Sequence, residues 1–181
     1  MTKANPKFPR HTVGMASDPN ADAHEIVPGL WLGNERSSQD TVFLQGNQIN
    51  VVFNCTKTSP FHPAVPVQYR LPIDDNLREE EIRNLELWSM EVAHKLMREY
   101  LAGNRILVHC FAGMQRSAAT VAIFLIAFKR MRAEEAMAYI KERRPIAFHG
   151  GANFGRAIAH FEQKFHEEYL PAILHRKAKL D

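Results

Sequence analysis

The chain has 181 residues, 45% of them hydrophobic and 24% charged, with a formal net charge of +3. That composition suits one domain that buries a core without help from disulfides or a structural metal. It gives no footing for nucleic-acid binding, and no apolar run approaches the roughly 18 residues of a membrane span.

Residues 1–24 are rich in Pro, Asn, Asp, Lys and His and lack an apolar period, so they read as a peripheral arm. A docking or homodimer-forming role for that arm is the alternative. No apolar stretch of a secretory signal follows Met1. With Cys55 and Cys110 the only cysteines, the expected setting is a reducing intracellular compartment, cytoplasmic or nuclear.

A single domain is expected over residues 25–170. Pro28-Gly29 and Gly33-Asn34 punctuate two short apolar strands around Ile26-Val27 and Leu30-Trp31-Leu32. A helix is predicted over Asp40–Gln45, ended by Gly46-Asn47, and a buried strand over Ile49–Asn54. Val67–Leu71 alternates apolar and polar residues as a half-exposed strand does. A loop follows through Asp74-Asp75, and then a long helix with Asn76 and Glu79 placed as a capping pair. Its apolar stripe is Ile82, Leu85, Trp88, Val92 and Leu96.

Ile106-Leu107-Val108 reads as a buried strand, followed by helices over 118–129, 133–143 and about 155–168. Strands alternating with helices imply an α/β fold, a central mostly parallel sheet flanked by helices. Residues 171–181 form a basic tail, solvated by default, with an anionic partner as the alternative reading.

The chemistry concentrates at His109-Cys110-Phe111-Ala112-Gly113-Met114-Gln115-Arg116-Ser117, where a strand gives way to a helix through a short loop. Converging N–H groups and a helix N-terminus make such a loop an anion cradle. The same potential favours a thiolate at Cys110. The Arg116 fork matches two phosphate oxygens.

This H-C-x-A-G-x-x-R-S run resembles the signature of cysteine-dependent protein phosphatases, in the form of their dual-specificity branch. The opening Ile26–Asn34 segment is similar to the start of those domains. The resemblance implies hydrolysis of phosphotyrosine and phosphoserine or phosphothreonine in proteins through a cysteinyl-phosphate, with no metal or other cofactor. Cys110 is then the nucleophile and Arg116 the phosphate clamp. Ser117 helps the sulfur leave, and His109 orients the loop. Asp75, on the loop after an edge strand, matches the general acid better than Asp74.

Phe111, Ala112, Gly113, Met114 and Gln115 complete the substrate-binding loop. Gln115 departs from the family, which often has Ser there. Neutral side chains in the loop disfavour a phosphoinositide, and the run departs from that of RNA triphosphatases. A phosphatase for either substrate, or a non-catalytic phosphoprotein-binding module, is the alternative. Arg143-Arg144 before Pro145 reads either as a second anion contact, with Arg144 binding substrate, or as a helix C-terminal charge pair. Cys55 reads either as a small buried strand residue or, by the resemblance, as a disulfide partner protecting Cys110.

Overall fold

The structure, a computed structural model, describes residues 18–178. The expected arm at 1–17 and the end of the tail at 179–181 lie outside the described residues. The strands are β1 (Ala23–Val27), β2 (Leu30–Gly33), β3 (Val51–Asn54), β4 (Val67–Arg70) and β5 (Ile106–His109). They form one sheet in the order β1-β2-β5-β3-β4, parallel except for the β1–β2 hairpin. β5 lies at the centre, with Leu32 and Phe53 flanking Val108 in register.

The continuous apolar run of β5 follows from that position, since a central parallel strand is covered on both faces. Ile106 and Val108 pack with Leu30, Leu32, Val51 and Phe53 on one face. Leu107 turns to the other, against Trp31, Leu44, Ile49, Val52 and Val65. The first face is covered by α3 (Glu79–Leu101), α4 (Arg116–Lys129), α5 (Ala133–Arg143) and α6 (Gly155–Lys164). α4 sits in their midst, so residues Ala118 to Ile126 are all buried. Tyr100, Phe124 and Phe128 pack their rings 5.0–5.2 Å apart between α3 and α4. Truncating Phe124 to Ala would cost about 3–5 kcal/mol.

Several sequence expectations need correction. The single early helix is two, α1 (Glu35–Gln39) and α2 (Thr41–Gly46), because Asn34 caps the first through Ser37 N–H and Asp40 caps the second through Val42 and Phe43 N–H. The Asn76–Glu79 capping pair does not form. Asn76 Oδ1 instead accepts from Arg78 N–H, and Glu79 reaches Arg156 on α6. Ala23 and His24 are not part of a peripheral arm, for His24 is buried and Ala23 begins an edge strand, whereas Asp18, Pro19, Asn20 and Asp22 are exposed. The third late helix extends through a π-helical turn at Phe165–Tyr169 into α7 (Leu170–Ala178), taking in most of the supposed tail.

Candidate active site

β5 delivers the chain to Cys110, which is 2% exposed at the bottom of the loop. Ser117, in the first turn of α4, donates its hydroxyl to Cys110 Sγ at 3.2 Å. Between them the loop turns inside out. The Phe111 carbonyl accepts from Glu35 N–H and the Met114 carbonyl from Phe148 N–H. The Ala112 and Gly113 carbonyls accept from Arg144 at 3.5 and 2.8 Å. In a planar trans peptide the N–H points opposite to the carbonyl. Four carbonyls held outward therefore turn the N–H groups of Ala112, Gly113, Met114 and Gln115 toward the inside. Gly113 has φ 68°, and a Cβ there would come within 2.6 Å of the Gly33 carbonyl and the Arg144 guanidinium. Glycine is required.

Arg144 is not at the rim. It is 2% exposed and lies behind the loop, so its expected role as a direct substrate contact is corrected. Besides the loop carbonyls it donates to the Ala21 carbonyl at 3.0 Å and to His24 Nδ1 at 2.8 Å. Arginine cannot accept, so Nδ1 is the acceptor, and Nε2–H donates to the Asp18 carbonyl. His24 is thus neutral, in keeping with a pKa lowered by burial. Nor is Arg144 half of an exposed charge pair, since Arg143 lies apart over the Tyr139 ring.

His109 is fully buried at the end of β5. Burial pushes its pKa down to about 4, against weak support from the Cys110 backbone, so the ring is neutral. Neither ring nitrogen has a well-aligned hydrogen bond. Phe111, 66% exposed, and Ala112 stand at the mouth of the loop. Cys55 is buried, with its sulfur 3.4 Å from the Thr120 hydroxyl, and desolvation pushes its thiol up to about 12. Both cysteines are free thiols.

The two aspartates after β4 are sorted by their partners. Asp74 pairs with Lys57 at 2.8 Å and donates its N–H to Glu81 Oε2 at 2.9 Å. Glu81 is buried, which works against its carboxylate, yet Lys57 and the Asp74 N–H outweigh that and lower its pKa. Asp75 is exposed, and its Oδ1 accepts from Asn153 Nδ2 at 2.8 Å. Arg116 donates to the Ile73 carbonyl at 3.2 Å, tying the aspartate loop to the helix that follows Cys110. Asn153 escaped the sequence reading because nothing local links it to Asp75.

Gln115 faces away from the loop interior. Its amide donates to the His149 and Gly151 carbonyls at 3.2 and 2.8 Å and accepts from Asn153 N–H at 3.0 Å. Among the described residues no cluster of His, Cys, Asp or Glu is arranged to hold a metal ion, and no helix is long and apolar enough to cross a membrane.

The family description of the dual specificity phosphatase catalytic domain matches residues 30–164. Dual specificity protein phosphatase 2 of Mus musculus is 34% identical over 123 residues, covering 67% of this chain and 37% of that protein. The chain thus spans little more than a third of that relative's length. The crystal structure of human DUSP28 has the same fold, with a TM-score of 0.67 at 22% identity, covering 83% of this chain and 99% of that one. The human tyrosine phosphatase-like serine/threonine/tyrosine-interacting protein is 29% identical, with a TM-score of 0.62 and coverage of 82% and 97%. On the strength of the matched domain, this chain belongs to the dual-specificity phosphatase family.

Proposed function

We propose that this chain hydrolyses phosphotyrosine and phosphoserine or phosphothreonine in proteins through a cysteinyl-phosphate intermediate. The observation that carries the reading is the loop whose carbonyls are held outward above Cys110, leaving inward N–H groups for a phosphoryl group. In the first step the Cys110 thiolate attacks phosphorus. The P–O bond to the substrate breaks as the Asp75 carboxylic acid gives its proton to the departing oxygen. Arg116 and the loop amides hold the three equatorial oxygens.

Water then attacks the cysteinyl-phosphate, losing its proton to the Asp75 carboxylate. The S–P bond breaks, and Ser117 O–H stabilises the sulfur as it leaves. Inorganic phosphate departs and the thiolate is restored. His109 is buried and neutral, which suits a supporting part rather than proton exchange. The exposure of Phe111 and Ala112 supports a site open to aryl and to alkyl phosphates. A nucleophilic thiolate is best kept in a reducing intracellular compartment.

The test is hydrolysis of an aryl phosphate and of phosphotyrosine, phosphoserine and phosphothreonine peptides, with a chelator present. Turnover that is lost in Cys110→Ser and reduced about 100-fold or more in Asp75→Asn is expected. A folded, reduced wild-type protein that binds phosphopeptides without turnover would overturn the reading.

A further inference from the structure

Gln115 is 4% exposed and contributes a side chain that no step above uses. It stands at the junction of the phosphate loop and α4, yet its amide turns outward into the segment from Phe148 to Asn153. That segment is irregular, with positive φ at Phe148, Gly150 and Gly151. Its backbone turns back on itself through His149 N–H to the Ile146 carbonyl and Gly151 N–H to the Phe148 carbonyl. It joins the phosphate loop through Phe148 N–H and through the Gln115 amide.

That amide is fully matched: two carbonyls face its NH₂ and one N–H faces its oxygen. Reversing the amide would set oxygen against two carbonyls, so the orientation is fixed. The same residue whose N–H meets Gln115, Asn153, donates its own side-chain amide to Asp75 Oδ1. A continuous path of hydrogen bonds therefore runs from the phosphate loop through Gln115 and Asn153 to Asp75.

We propose that Gln115 is a positioning residue, which through Asn153 holds the Asp75 carboxyl over the phosphate loop for proton transfer to the leaving oxygen. The inference rests on the reading of Asp75 as the general acid. The chemistry explains why such a tether matters. Asn153 NH₂ needs an acceptor, so Oδ1 stays unprotonated and the acid's proton resides on Oδ2, the oxygen left free to meet substrate. Asp75 is exposed and begins no helix, so without the tether its carboxyl samples many directions and proton transfer loses its preset geometry. A shorter residue at position 115 cannot span to three backbone groups of the segment.

The consequence is graded by substrate. A leaving group that is a weak base departs without a proton, whereas an alkoxide or phenoxide needs one. The experiment is kcat/KM for a series of aryl phosphates, from dinitrophenyl to phenyl, with wild type, Gln115→Ser, Asn153→Ala, Asp75→Asn and Gln115→Ser combined with Asp75→Asn. Gln115→Ser and Asn153→Ala should each lower the rate for phenyl phosphate about tenfold more than for dinitrophenyl phosphate, part of the range open to acid catalysis. The double variant should show no more leaving-group dependence than Asp75→Asn alone.

A loss of equal size across the series in Gln115→Ser and Asn153→Ala, with Asp75→Asn still selective, would overturn the positioning role and leave Asp75 as the acid. An Asp75→Asn variant without leaving-group selectivity would overturn the acid assignment itself, and the tether with it.

Discussion

Replacing His109 with Gln isolates the effect of one buried ring on stability. Burial lowers the pKa of His109 to about 4, from 6.5 in a solvated chain. As pH falls through that window the unfolded state takes a proton that the folded state refuses, so the stability present above 6.5 is progressively lost. Each pH unit of the window is worth about 1.4 kcal/mol, giving about 3 kcal/mol in full and about 2 kcal/mol by pH 5.

Urea unfolding at about pH 8 and pH 5 reads this directly. Wild type should lose about 2 kcal/mol more than His109→Gln between the two conditions. His24, its pKa also lowered by burial, titrates in both proteins and cancels in the difference. Equal losses would refute the reasoning. So would an NMR titration of the folded wild type in which the His109 ring takes its proton near 6.5, a measurement that does not depend on the variant folding.

Two further outcomes follow from buried side chains. Arg144→Met strips the Gly113 and Ala21 carbonyls and His24 Nδ1 of their donor, and should cost on the order of 3 kcal/mol in denaturant unfolding. Because the guanidinium lies behind the loop, kcat/KM for doubly and singly phosphorylated peptides should fall together; a selective loss for the doubly phosphorylated peptide would return Arg144 to the rim. Iodoacetamide at neutral pH should leave Cys55 unmodified in the native protein and label it after denaturation, as mass spectrometry would show, since its thiol is buried and pushed up to about 12. Rapid native labelling would contradict that burial.

The parts of the fold that were legible in the sequence are those whose cause is local. Ile106-Leu107-Val108 announces a strand covered on both faces, and Leu85, Val92 and Leu96 announce the buried side of α3. α1 escaped because five residues hold no apolar period; the Asn34 cap makes it a helix. Gly113 was legible as loop chemistry, but Arg144 was not legible as its support. A charged residue before a proline at a helix end looks like surface, and only the packing of α5 against β1 brings it under the loop. Likewise Gln115 and Asp75 meet Asn153 through tertiary folding alone, so no spacing along the chain betrays the link.

The place of β5 in the sheet also sets the order in which the chain can acquire its chemistry. Its parallel neighbours, β2 and β3, were both laid down much earlier in the sequence, and neither can pair with it until long intervening segments have closed. The supports of the loop come later still, since Arg144 and Phe148 follow it along the chain. A polypeptide emerging from a ribosome therefore presents Cys110 before Arg144 and Phe148 exist to hold its loop. Through that interval the residue is an ordinary thiol, mostly protonated and slow to react, and the cradle that favours its thiolate is complete only when Arg144 and Phe148, in the final third of the chain, have folded behind it.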